Sequence, residues 1–282
     1  MDAAANRSKR GAKTVKAAPF ARDEDPDDRD FVTAVGRAFS ILRCFSRRAR
    51  ILGNKDLAQR TGLPKSTIAR LTHTLTKLGY LEYLPALEKY QLGIGVLTIG
   101  QSYLAGLDVR DVARPLMQQL ADETKATVAL GANHGNDMVF LELCHGSESM
   151  FLLRMQVGER VPHGMTALGR AYLAGLTPEQ RAALGAQFKK LVKADEWTKL
   201  KADSDQAVRD YEQYGFCFSL GDWNKEVFAA GVPMISDDGR RILAFSCSGP
   251  AHQMTRKRLI SEIGPKLMQL RDRVKEQLGG SF

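Results

Sequence analysis

Ala58, Gly62 and Ile68 fall four and six residues apart within the run Leu57-Ala-Gln-Arg-Thr-Gly-Leu-Pro-Lys-Ser-Thr-Ile-Ala-Arg-Leu71. This small, glycine, branched triplet constrains the fold more than any other feature of the chain. Ala58 lets two helices cross closely, Gly62 accepts the left-handed backbone of a tight turn, and Ile68 fills the wedge between the helices. Asn54 is expected to cap a short helix that ends at Thr61-Gly62, and Pro64 to open a second helix running to about Leu78. Ile68, Leu71, Leu75 and Leu78 recur along the inner face of that second helix. Upstream, Val35, Phe39, Leu42 and Phe45 predict one apolar face of a preceding helix. Downstream, Leu81 to Leu92 reads as two short strands around a Pro85-Ala86 turn. A hairpin directly after the second of two closely joined helices is the wing of a winged helix-turn-helix.

The distribution of charge fits this module. Of a formal net charge of +9, nearly all lies in residues 31–95, which carry 11 basic against 3 acidic residues. A small cationic domain beside a neutral remainder implies a polyanionic partner. A helical hairpin that never meets nucleic acid would use the same small residues at its crossing; the charge and the wing favour double-stranded DNA. With the second helix in the major groove, its outer N-terminal face reads the bases: Lys65, Ser66, Thr67, Ala69, Arg70 and His73. Arg70 suits a bidentate contact to guanine O6 and N7. Ser66 and Thr67 sit where hydroxyls and helix N–H groups bond phosphate. On the wing, Lys89 and Tyr90 are phosphate candidates.

Elsewhere the chain divides by composition. Residues 1–30 pair a basic run (Arg7 to Lys16) with an acidic one (Asp23 to Asp30) and hold little to bury, so a disordered tail is expected. The winged module is expected over 31–93, a linker helix over 94–109, and a second domain over 110–280. That second domain reads as α+β with a mostly antiparallel sheet. Its strand candidates are Thr127–Ala132, Met138–Cys144, Phe151–Met155, Phe216–Leu220, Val227–Met234 and Ile242–Ser248. Its helix candidates are Val109–Lys125, Ala167–Ala174, Pro178–Phe188, Asp205–Tyr214 and Met254–Leu278. No uncharged apolar stretch approaches the ~20 residues that span a bilayer, and the basic N-terminus lacks the apolar region of a secretory signal. The four cysteines are scattered, which suits a reducing cytoplasm and argues against a zinc site or disulfide framework.

With these residues in place the chain resembles the IclR family of bacterial transcriptional regulators over about residues 31–280. Four segments carry the resemblance: A-V-G-R-A-F-S-I-L (34–42); the helix-turn-helix run with L-G-Y-L (57–81); V-G-E-R-V-P-H-G-M-T-A-L-G-R-A-Y-L-A (157–174); and G-F-C-F-S, A-A-G-V-P and F-S-C-S-G-P between 215 and 250. The resemblance implies a winged-helix domain, a linker helix and a GAF-like effector-binding domain. It also implies homodimers or tetramers on palindromic operators. Carried over by position, the effector pocket falls on Thr166, Ala167, Leu168, Ser219, Ala229, Ser246 and Ser248. A helix opening at Thr166 presents free N–H groups to an anion. Ser246 and Ser248, two apart in a strand, share a face; a ligand or neighbouring backbone would satisfy their hydroxyls. Relatives that bind small keto acids tend to carry an acid at the position of Ser219 and a thiol at that of Ala229. The smaller, uncharged residues here imply a different, larger or aromatic ligand. The family also has a glutamate where this chain has Asp222, and the Trp223-Asn-Lys-Glu-Val-Phe segment departs from its pattern.

Two other classes stay open on residues alone. One is a ligand-binding hydrolase or metal enzyme fused to a helix-turn-helix; the other is an architectural DNA-binding protein without a ligand. His134, His145, His163 and His252 are widely spaced, and no nucleophile elbow, phosphate loop or zinc-binding helix is present. His163, near the expected pocket, could contact an effector, or a metal together with His134 and His145. No cofactor or metal is expected.

Overall fold

A computed structural model describes residues 29–47, 49–147 and 155–282. The expected disordered tail falls almost wholly outside these residues, as does most of the strand expected at Phe151–Met155. The chain divides into two compact units between Gly106 and Leu107.

The first unit contains helices α1 (Thr33–Leu42), α2 (Asn54–Thr61) and α3 (Lys65–Lys77), the hairpin β1 (Leu81–Leu84) and β2 (Lys89–Leu92), and α4 (Gly95–Ala105). Its core is Ile41, Phe45, Leu52, Leu57, Ile68, Leu75 and Leu81. Ala58 packs against this cluster, and Gly62 ends α2 at φ 72°, where a side chain would be strained. Asn54 is the first helical residue instead of the cap. Gly53 is the cap, and the Asp56 carboxylate accepts its N–H at 2.9 Å. Pro64 has ψ 144°, extended, so it precedes α3 and Lys65 opens the helix.

Two expectations about helix faces are corrected here. Ile41, with Ala38 and Leu42, forms the buried side of α1, while Val35 and Phe39 are 53% and 50% exposed. The helix is apolar around much of its girth, and the small Ala38 side permits the closer approach. Leu78 lies past the end of α3 and is exposed; Thr72 takes the buried position. Its hydroxyl donates to the Ile68 carbonyl at 2.9 Å, which removes the polar penalty of burial.

The second unit is built on an antiparallel sheet whose described strands run in the order β5-β4-β3-β8-β7-β6. These are β3 (Thr127–His134), β4 (Asp137–His145), β5 (Arg160–Pro162), β6 (Cys217–Leu220), β7 (Val227–Ile235) and β8 (Ile242–Pro250). Helix α5 (Asp108–Thr124) covers one face with the C-terminal helix. That helix runs from α9 (Arg256–Arg258) through a π-helical turn at Leu259–Ile263 into α10 (Gly264–Gln277), the widened turn preceding Pro265, which has no N–H to continue the ladder. The opposite face carries α6 (Ala167–Gly175), backed by α8 (Ala194–Tyr214), with α7 (Pro178–Leu191) beyond. Helix α8 starts 11 residues before the expected Asp205. Its first turns are mostly polar and exposed, so they carry no clear apolar period.

Gly231 sets the spacing between α6 and the sheet. A Cβ there would collide with the Ala167 carbonyl. The helix therefore begins almost in contact with the β7 backbone.

Candidate nucleic-acid interface and effector pocket

Helix α3 buries Ile68, Thr72 and Leu75 on one side, which turns the intervening positions outward. Lys65, Ser66, Arg70 and His73 are exposed, and Thr67 is half-buried. Among the described residues none of these side chains has an ion-pair or hydrogen-bond partner, so they are free to meet a ligand. The wing pairs Leu81–Leu84 antiparallel with Lys89–Leu92, and Glu88 turns the chain between them at φ 51°. Lys89 is exposed, and its Cγ approaches the N-cap of α2 at Gly53. The Asp56 carboxylate stands at the same point, so the chain's own acid occupies this helix start, and Lys89 offers phosphate only its exposed cationic end. Tyr90 is placed differently. Its backbone bonds Leu52 at 2.8 and 3.0 Å, and its half-buried ring packs on the core and lies 5.0 Å from that of Tyr83. It stiffens the wing.

The candidate pocket lies on the α6 face of the second sheet. Strand register puts Ser219, Ala229, Ser248, Thr127 and His145 side by side in one row across five strands. The next row is Cys217, Gly231, Ser246, Ala129 and Leu143. Because Gly231 faces Ala167, both rows face the start of α6. Thr166 caps that helix through its hydroxyl, which accepts the Gly169 N–H at 3.1 Å. The N–H groups of Ala167 and Leu168 have no partner among the described residues. The four sheet residues expected in the pocket thus lie in two adjacent rows on the face that carries α6, and the other three open that helix.

Their hydroxyls differ in state. Ser219 donates to the Met165 carbonyl at 2.8 Å, and Ser248 reaches the Thr127 carbonyl at 3.5 Å. Ser246 is 6% exposed and has no hydrogen-bond partner among the described residues. Below the helix start Arg170 is buried, donating to the carbonyls of Gly164 (2.8 Å) and Phe218 (2.7 Å) and pairing with Asp222 (3.0 Å) and Asp203 (3.4 Å). Four partners compensate a buried guanidinium and tie α6 to β6, α8 and the β6–β7 connection. Sequence reasoning missed this anchor. Its signal was the arginine in the otherwise apolar A-L-G-R-A-Y-L-A helix.

His163 is a structural residue. It is 1% exposed, with Nδ1 at 2.7 Å from the Asn136 carbonyl and Nε2 at 2.8 Å from the Asn133 side chain. Burial pushes its pKa down to about 4, so the ring is neutral. With both nitrogens occupied, it has nothing left for an effector, or for a metal shared with His134 and His145. His145 instead meets the Thr127 hydroxyl at 3.0 Å through Nδ1. Burial holds the Cys144 thiol up at about 11 and that of Cys247 at about 12, which leaves them as inert core groups. Among the described residues no cluster of three or more His, Cys, Asp or Glu side chains suits a metal ion. No helix of the described residues is long and apolar enough to cross a membrane.

Comparison with known proteins matches both units. Residues 101–275 match the family described as bacterial transcriptional regulator IclR C-terminal, and residues 34–85 match the IclR helix-turn-helix domain. The HTH-type transcriptional regulator TsaQ1/TsaQ2 of Comamonas testosteroni is 32% identical over 240 residues, 85% of this chain and 86% of that protein. The crystal structure of an IclR family transcriptional regulator from Brucella abortus is 37% identical, with a TM-score of 0.84 over 92% of this chain and 97% of that one. An IclR homologue from Microbacterium hydrocarbonoxydans, complexed with 4-hydroxybenzoate, shares the fold at a TM-score of 0.67 and 22% identity, covering 88% of this chain and 100% of that one.

Proposed function

This chain belongs to the IclR family of bacterial transcriptional regulators, and we propose that a small organic effector, a carboxylate or an aromatic, sets its hold on a palindromic operator. In this reading residues 31–93 are the DNA-binding domain, α4 (Gly95–Ala105) is the linker helix, shorter than the 94–109 expected, and the second unit from Leu107 is a GAF-like effector-binding domain. The protein works in the cytoplasm as a homodimer or tetramer and catalyses no reaction. Lys65, Ser66, Thr67, Arg70 and His73 face the major groove, and Lys89 contacts phosphate from the wing. Tyr90 contributes through the wing that it stiffens. Thr166, Ala167, Leu168, Ser219, Ala229, Ser246 and Ser248 surround the effector.

The observation that carries the reading is the outward face of α3, polar and unpaired, in the unit that holds nearly all of the net charge. The effector acts by favouring one arrangement of the two DNA-binding units of a dimer, a coupling typically of about 1–3 kcal/mol. The test is selection of bound genomic fragments by the full-length protein, followed by operator titration over a range of salt with and without small organic acids. Enrichment of a palindrome is expected, with affinity falling steeply as salt rises and shifting with at least one acid. A protein that enriches no fragment even at low salt would overturn the reading.

A further inference from the structure

Helix α3 has no acid of its own. Between Asp56 and Glu82 the sequence holds no Asp or Glu, while the α3 cations Lys65, Arg70 and Lys77 all fall in that stretch. Arg70, His73 and Lys77 stand three and four residues apart and share one side of α3, with Lys65 at the helix start. All four are exposed, and among the described residues none of these side chains has an ion-pair or hydrogen-bond partner. In the second unit, by contrast, Arg110, Arg170 and Arg258 each pair with a carboxylate. The chain itself carries a complement to this stripe. Asp23, Glu24, Asp25, Asp27 and Asp28 put five acids into six residues shortly before α1, in a segment outside the described residues. Drawn out, that segment bears one charge per ~4 Å, close to the ~3.4 Å spacing of phosphates along one strand of DNA.

The tether is long enough. Ile41, near the end of α1, shares one small core with Ile68, which lies one turn past Lys65. At 1.5 Å per helical residue and ~10 Å between packed helices, the starts of α1 and α3 are less than about 30 Å apart. The ten residues from Asp23 to Thr33 span up to about 33 Å. We propose that residues 23–28 dock on the cationic stripe of α3 in the DNA-free protein, as an intramolecular substitute for the phosphate backbone that DNA must displace. The inference rests on the reading of α3 as the DNA-reading helix. Tethering holds the acids at high local concentration beside the stripe, and opposite charge binds them there at low ionic strength. The rival partner is the basic run from Arg7 to Lys16. Composition predicts that residues 1–30 are disordered, so pairing inside the tail would order two stretches of chain, whereas docking on α3 orders one. The docked acids lower the affinity for every DNA sequence. They also blunt its dependence on salt, because the stripe is already neutralised before DNA arrives.

Two measurements on the full-length protein test this. Carbodiimide couples carboxylates to amines in contact. Without DNA it should cross-link residues 23–28 to Lys65 or Lys77, and operator DNA or high salt should remove these products. Cross-links to Lys9, Lys13 or Lys16 alone would place the acids on the basic run, and cross-links joining isotope-labelled to unlabelled chains alone would place them on a second copy; either result, or no cross-link to α3, overturns the proposal. The second measurement combines Asp23→Asn, Glu24→Gln, Asp25→Asn, Asp27→Asn and Asp28→Asn in one variant. It should bind the selected operator about tenfold more tightly than wild type at low salt, with a steeper salt dependence and with the two proteins converging at high salt. Equal affinity at low salt, or a gain that salt does not reduce, also overturns it. A wild-type protein that forms the α3 cross-link and yet enriches no DNA fragment would instead strike at the regulator reading.

Discussion

Arg70 presents its guanidinium from the outer side of α3 with no competing carboxylate among the described residues, so base recognition breaks no ion pair within the folded unit. Arg70→Ala should cost about 1–3 kcal/mol of discrimination at one base-pair position. Anisotropy titrations against the selected operator and its single-base variants measure this; unchanged affinity and preference would exclude Arg70 from base reading. His163 makes a prediction about stability. Its pKa is about 4 in the folded protein against an ordinary 6.5, so the unfolded chain takes up the proton first as the medium is acidified. The stabilisation from keeping this ring neutral is complete above pH 6.5 and is lost as pH falls toward 4, by about 3 kcal/mol in all. Urea midpoints at pH 7 and pH 4.5 should separate less in His163→Phe than in wild type. Other carboxylates titrate in both proteins, so the difference between the two isolates this residue. Thr72 and Ser246 also carry a lesson about legibility. A threonine between Leu71 and His73 reads as outward-facing until its hydroxyl is seen bonded within the helix. Of the three pocket serines, two find carbonyls 54 and 121 residues away in sequence, a distinction that local pattern cannot make.

At the scale of elements, α2 and α3 were legible because their signals are local: a glycine at positive φ, a proline ahead of the helix, and an apolar repeat. The face of α1 was not. Val35 and Phe39 are as apolar as Ile41, and only packing against α3 decides which side turns inward. Helix α6 shows how an element positions a site. Its start is pressed on β7 at Gly231 and tied below by Arg170, which fixes its first turn over the strand row of Gly231 and Ser246. Gly231→Ala should therefore displace the helix start, since the obstruction is the Ala167 backbone and no side chain can rotate away. The expected destabilisation is about 1–3 kcal/mol by thermal or urea unfolding, with weaker effector binding and DNA affinity little changed. An unaltered unfolding midpoint would show that α6 tolerates the extra methyl and that the spacing argument fails.

For the whole molecule, the apolar surface left open on the first unit bears on assembly. Phe31, Val32, Val35 and Phe39 are exposed at α1, and Ile94, Leu97, Ile99 and Tyr103 along α4. So many large apolar groups on one small unit indicate a contact surface, and a second copy of the chain fits the proposed palindromic operator. Phe39→Glu should shift sedimentation toward monomer and reduce affinity for the full operator more than for a half-site; a dimer that persists with full affinity would rule out this surface. The amino-acid order alone determined the helix-turn-helix and its wing, the concentration of positive charge in one module, and the alternation of strands and helices in the other. Each of these arises from interactions among residues near one another in the chain. Which apolar stripe is buried, which serine keeps a free hydroxyl, and how Arg170 comes to anchor the start of α6 were decided by tertiary structure. Those outcomes depend on partners tens of residues away, and they exist once the sheet has brought five strands into register.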